Sequence, residues 1–264
     1  MPIITLTSDY GILDHYLASV KGALLSESPD FTLVDISHTI EPGNFFEAAF
    51  ILRNCYASFP KGTVHLVAFQ EISENGKLLA AEMDGQFFLM ADNGLLPMIN
   101  PDLKIKKTIE IDLRAEKSHF PAKDILTRAA NHLARGGSID LLGRQARDIV
   151  QKTISRPIIS NDKNSIKGSV VYIDNFGNLI SNISQKTFRE VGQDRSFEIQ
   201  LPRSQRISRL SESYHSVSSG SVMAFFNSQN LLEIAVSDSR GKVFNGANTL
   251  LGIEVQNVIT IQFR

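Results

Sequence analysis

Apolar runs alternate with helical stretches through the first part of this chain, and that alternation constrains the fold more than any other feature. Ile3 to Thr7 reads as a buried strand ending in Ser8-Asp9-Tyr10-Gly11. Asp14 is placed to cap a helix through about Leu25, with Tyr16, Val20, Ala23 and Leu24 on one face. Phe31 to Ile36 forms a second strand closing on Ser37-His38, and Pro42 to Phe59 a second helix burying Phe46, Ala49, Phe50 and Cys55. Thr63 to Phe69 is a third strand. Strand, helix, strand, helix, strand at this spacing predicts an α/β domain with a mainly parallel sheet covered by helices.

The pattern then changes. Lys77 to Met83 and Gln86 to Met90 suit a hairpin about Asp84-Gly85, followed by Asp92-Asn93-Gly94. Lys107 to Asp112 reads as a strand, and Pro121 to Ala134 as a helix with Ile125, Leu126, Ala129, Ala130 and Leu133 on its apolar stripe and Gly136 as its stop. The polar, proline-bearing stretch 156–167 reads as a linker between domains 1–155 and 168–264. Short strands at Gly168 to Asn182, Ser196 to Leu201, Ser221 to Phe226, Leu231 to Ser237 and Gly252 to Phe263 predict a smaller antiparallel barrel or sandwich.

The 264 residues carry a net charge of −1, so no overall field favours nucleic acid or an anionic membrane. No run approaches the roughly 20 apolar residues of a membrane span, and Met1-Pro2 leads into IITLTSDYG without a signal pattern. The lone Cys55 excludes an internal disulfide framework and fits a reducing compartment, so a cytoplasmic protein is expected. No Cys, His or carboxylate group has metal-ligand spacing, so no metal or other cofactor is expected.

In open α/β sheets ligands lie beyond the carboxyl ends of the strands, where Asp9, His38, Gln70 and Asp92-Asn93 fall. In the second half, VVYIDNFGNLISN crowds a carboxylate, a ring and a carboxamide (Asp174, Phe176, Asn178) into one corner between two strands. Such a set suits a charged, ring-bearing small molecule; an ordinary hairpin turn has the same composition.

TSDYG at Thr7, VDISH at Val34, FPKGTVHL at Phe59, ADNGLL at Ala91, AANHLARG at Ala129 and IDNFGNLISN at Ile173 occur in this order. Together they resemble the SAM hydroxide adenosyltransferase family, relatives of the SAM-dependent fluorinase and chlorinase, over most of the chain. The resemblance implies a C-terminal β-barrel after the α/β domain. It also implies a homotrimer whose ligand, S-adenosylmethionine (SAM) or adenosine, lies between subunits. The implied reaction displaces methionine from SAM by attack at the ribose C5′. The resemblance places Asp9 on the ribose hydroxyls, Asp174 on the methionine ammonium and Ser228 on its carboxylate. It places Phe176 and Asn178 on adenine, and Phe120 and Ala122 near the adenosyl group.

The catalytic positions depart from the family pattern. Aligned without gaps, Gln70 replaces the family Asp, Lys77 its Arg and Pro121 its His. Gln70 takes no proton, Pro121 has no donor or acceptor in its side chain, and Lys77 is a point charge rather than a fork. Glu71 or Glu74 stands near enough in sequence to replace the Asp, and His119 the His. Gly43 occupies the family's aromatic position, with Phe45 close by to fill the space, and Gln229 replaces an arginine of the halogenase branch. The expectation is a slow SAM hydrolase rather than a halogenase. The alternative is a SAM or adenosine binding protein without turnover.

Overall fold

The computed structural model describes residues 2–27, 30–72, 75–101, 105–112, 118–202, 205–239, 241 and 245–264. The chain forms two compact units, Met1–Thr153 and Ile154–Arg264. Among the described residues no helix is long and apolar enough to cross a membrane.

The first unit is built on a sheet of strands β1 (Ile3–Ser8), β2 (Thr32–Ser37), β3 (Val64–Ala68), β4 (Leu78–Met83), β5 (Gln86–Ala91), β6 (Lys107–Ile111) and β7 (Gly143–Gln145), in the order β2-β1-β3-β5-β4-β6-β7. The β2-β1-β3-β5 half is parallel and the β5-β4-β6-β7 half antiparallel. β3 is buried at every residue, as a central parallel strand must be. Asp84 (φ +52°) and Gly85 (φ +71°) join β4 to β5 with the two positive φ angles of a type I′ turn, whose twist matches that of the strands. The parallel arrangement sends the carboxyl ends of β1, β2, β3 and β5 to one edge of the sheet.

Helices α1 (His15–Glu27), α2 (Phe45–Cys55), α3 (Leu96–Ile99) and α4 (Thr127–Ala134) cover the sheet. α2 is shorter than expected: Asn44 caps it by accepting from the Glu47 N–H, and a 3₁₀ turn at Tyr56–Ser58 follows. Its buried stripe is Ala48, Ala49 and Leu52, while Phe46, Phe50 and Cys55 are only partly buried, since the helix packs against both β2 and α3. Tyr16 is likewise exposed on α1. The helix expected from Pro121 opens as a π-helical turn at Ala122–Leu126, closed by Thr127 N–H donating to the Ala122 carbonyl.

His65 is wholly buried in β3. Its Nδ1 lies 2.7 Å from Thr5 Oγ1 and its Nε2 2.7 Å from Gln86 Oε1, while its ring stacks on Phe88 at 4.6 Å. Burial lowers its pKa to about 4, against the opposing hydrogen bond that Nε2 donates to Gln86 Oε1.

The second unit is an antiparallel sheet of β8 (Ile158–Ile159), β9 (Ser165–Ile173), β10 (Leu179–Ser184), β11 (Phe197–Gln200), β12 (Arg206–Ile207), β13 (Val222–Phe226), β14 (Leu231–Val236) and β15 (Val258–Phe263). Its order is β12-β11-β15-β9-β10-β14-β13, with β8 on β9, and the end strands β12 and β13 approach each other so that the sheet nearly closes into a barrel. α5 (Gln185–Gly192) and α6 (Ala247–Leu251) complete it; the strand-based reading missed both. The stretch 156–167 carries β8 and the start of β9.

The imidazole of His65 sets a pH dependence. Its folded pKa lies below its unfolded value, so unfolding takes up a proton between about pH 6.5 and 4. Its contribution is complete above pH 6.5 and falls by roughly 3 kcal/mol as pH drops through that window. The raised carboxyls of Asp9, Glu71 and Glu233 slope the other way, so wild type is compared with His65→Gln by urea unfolding at a series of pH values. The difference between the two curves is expected to shrink on acidification; a constant difference would contradict the neutral buried imidazole.

Candidate functional site

Asp9 follows β1 directly and is half-buried at the gathered edge of the first sheet. Its Oδ2 accepts the backbone N–H of Gln70 at 3.2 Å. Burial raises the Asp9 pKa, opposed by hydrogen bonds from the backbone and side chain of Gln70. Gln70 reaches this position with φ +45°, left-handed for a side-chain-bearing residue. Asn93 sustains that conformation. Its Nδ2 donates to the carbonyls of Phe69 (2.8 Å) and Gln70 (3.2 Å), and its Oδ1 accepts from Leu95 N–H. The Asp92 carboxylate accepts Asn75 Nδ2 and the Val150 N–H.

Glu71 comes next in the chain and is half-buried. Its Oε1 accepts the Tyr10 hydroxyl at 2.6 Å and its Oε2 the Ala122 N–H at 2.5 Å. Burial raises its pKa, and the charges of Asp9 and Asp124 push the same way against those two hydrogen bonds. Tyr10, Tyr16 and Phe120 pack in an aromatic triangle with centroids 5.6–5.8 Å apart. Phe45 meets Phe69 edge-on at 5.0 Å and carries the Lys152 ammonium 3.1 Å above its ring. Gly94 (φ +92°) lies under that lysine, where a Cβ would stand 2.6 Å from Lys152 Cγ. His38 ties β2 to β1: Nδ1 lies 2.7 Å from Ser8 Oγ, Nε2 3.1 Å from Asp35 Oδ1, and its carbonyl accepts Gly11 N–H.

In the second unit the turn between β9 and β10 is closed by Asp174. Its Oδ1 accepts the N–H groups of Phe176 and Asn178 at 2.9 Å, and its Oδ2 the Asn178 side chain at 3.0 Å. Gly177 (φ +80°) permits the reversal. Asn178 is buried, whereas Phe176 is 60% exposed, an unusual cost for a ring unless something covers it. Glu233, within the apolar run of β14, is buried and accepts the Tyr214 hydroxyl (2.6 Å) and Asn227 Nδ2 (3.0 Å). Burial raises its pKa, and the Asp174 charge adds to this.

The profile of the SAM hydroxide adenosyltransferase N-terminal domain matches residues 4–143, and that of the C-terminal domain residues 168–260. The chain belongs to the SAM hydroxide adenosyltransferase family. The (R)-S-adenosyl-L-methionine hydrolase of Methanocaldococcus jannaschii is 28% identical over 193 residues, covering 70% of this chain and 68% of that one. The fluorinase of Nocardia brasiliensis is 26% identical over 223 residues, covering 72% and 74%. A crystal structure of an uncharacterized conserved protein from Thermotoga maritima shares the fold, with a TM-score of 0.86 at 24% identity over 98% of this chain and 99% of that one.

Within the first unit of this family member, Asp9, Gln70 and Glu71 are joined through Tyr10 and Ala122 to the segment bearing Phe120 and Pro121. Lys77 sits apart, its ammonium 3.5 Å from Glu110 on β6. His119 is exposed, and Glu74 lies outside the described residues. In the second unit Asp174, Phe176 and Asn178 share one turn, while Ser228 lies in the exposed turn before β14. Leu179 pairs with Ile234 and Ser184 with Leu231, so those two turns stand at opposite ends of the β10–β14 pair. Glu233 was missed, although a lone acid within LLEIAV is the signal that could have found it.

Asn93→Ala would strip two buried carbonyls and one N–H of their partner. A loss of about 2–3 kcal/mol is expected on urea unfolding, with weaker retention of the Gln70 turn. A change under about 0.5 kcal/mol would contradict its anchoring role.

Proposed function

We propose that this chain binds SAM and hydrolyses it slowly to adenosine and methionine, by attack of water at C5′. The observation that carries the reading is the Asp9 carboxylate, oriented by Gln70 at the carboxyl end of β1, with a second carboxyl, Glu71, beside it. Two carboxylate oxygens suit the adjacent hydroxyls of a ribose. The hydrolase named above supports the reaction type at the level of the family. The sulfonium leaves as a neutral thioether, so no general acid is required. The site has only to align the water, exclude bulk solvent and accept a proton.

Asp174 takes the ammonium through the free lone pair of Oδ2 and Phe176 and Asn178 take adenine; Ser228, assigned to the methionine carboxylate by the family resemblance, stands at the other end of the β10–β14 pair and would have to reach that carboxylate along the barrel. Phe120 and Ala122 flank the adenosyl group. The complete site forms between subunits of a homotrimer, in which a neighbouring ligand covers the exposed Phe176 ring. No cofactor takes part, and the protein works in the cytoplasm. A second reading is binding without turnover. It is favoured by the engagement of Gln70 with Asp9 and of Lys77 with Glu110, and by the absence of any proton-transferring atom on the Pro121 side chain.

Incubation with SAM followed by chromatography is expected to release adenosine and methionine, about 10²–10⁴-fold more slowly than a family enzyme with the full set of catalytic residues. Restoring that set with Gln70→Asp, Lys77→Arg and Pro121→His together should raise the rate. Calorimetry should show adenosine binding that Asp9→Ala weakens by at least about 1.5 kcal/mol. Light scattering should give about three times 29.2 kDa. Absence of heat with both SAM and adenosine, or a strict monomer, would contradict the reading.

A further inference from the structure

We propose that Glu71 accepts the proton of the attacking water, in place of the carboxylate that the family carries at position 70. This rests on the hydrolase reading above. The side chain is held from two sides, by the Tyr10 hydroxyl at the exit of β1 and by the Ala122 N–H at the start of the π turn. Each carboxylate oxygen retains a second lone pair, so a water can donate to it without displacing either partner. Its backbone continues from Gln70, whose N–H holds Asp9, so both carboxylates are placed by one turn.

In the step, a water lone pair forms the C5′–O bond while the C5′–S electron pair withdraws to sulfur. Methionine leaves as a neutral thioether, one water proton passes to a Glu71 oxygen, and the other remains on the new 5′-hydroxyl. Glu71 later returns its proton to solvent. The titratable groups facing it are Asp9 and Tyr10, just after β1, and Asp124 from the π turn. Burial first, and then the like charges of Asp9 and Asp124, raise the carboxyl above its ordinary value against the hydrogen bonds from Tyr10 and Ala122, which strengthens it as a proton acceptor. Capping the π turn is the plain structural role of the same side chain, and the test separates the two.

Glu71→Gln keeps an acceptor for Ala122 N–H but takes no proton. In the full-length chain it is expected to bind adenosine within about twofold of wild type and to release adenosine from SAM at least about 100-fold more slowly. In Glu71→Ala, added formate should restore part of the rate, which a capping role alone does not predict. The wild-type pH–rate profile is a check without variants: kcat should fall as the pH drops through one ionisation above the ordinary glutamate value. Undiminished turnover in Glu71→Gln, or a kcat flat between about pH 4 and 8, would overturn the assignment. If wild type binds adenosine yet releases none from SAM, the hydrolase reading itself fails and this assignment fails with it.

Discussion

The hydrogen bond from Gln70 N–H to the Asp9 carboxylate is the interaction on which the candidate site depends. It joins the exits of two neighbouring parallel strands, where Ser8 pairs with Ala68. A left-handed conformation at a residue with a side chain costs about 1–2 kcal/mol. A hydrogen bond to a charged acceptor contributes about 1.5–3 kcal/mol, enough to offset that strain. Asn93 adds two donors to the carbonyls on either side of the turn, so the conformation is held from both ends. The sheet supplies the rigid edge, and this turn converts the edge into a placed pair of carboxyl groups.

The two units handle their acids differently. Asp9 and Glu71 each keep acceptor capacity beyond these hydrogen bonds, in a half-buried setting where a change of charge has consequences for a ligand. Asp174 spends most of its capacity closing its own turn, which fixes its direction before any ligand arrives. Glu233 lies deeper still, satisfied by Tyr214 and Asn227. That network makes the face of β14 polar without exposing it, and it links the Ser228 turn to the strand interior through the adjacent Asn227.

Much of the fold is legible in the sequence. Alternating elements predict the parallel half-sheet, and the strand ends point to Asp9, His38, Gln70 and Asp92-Asn93. What escaped depends on contacts distant in sequence. The insertion of β5 between β3 and β4 follows from sheet pairing, which hairpin reading does not reveal. The rotation of α2 toward Ala48 and Leu52 depends on its packing against β2 and α3, which the helical period alone does not specify. Glu71 stood level with Glu74 as a candidate replacement for the family Asp, and its contact with Ala122, fifty-one positions away, could not be read from the chain. His119, the candidate replacement for the family His, lies exposed beside Phe120.

A crystal structure of this chain with adenosine bound is the most direct test of the central claim, that the Gln70 turn places a ribose against Asp9 and its C5′ before Glu71. The account predicts both ribose hydroxyls on the Asp9 oxygens, the Gln70 N–H contact retained, and a water between Glu71 and C5′. Adenosine seated away from Asp9, or a ribose whose C5′ faces away from Glu71, would contradict it.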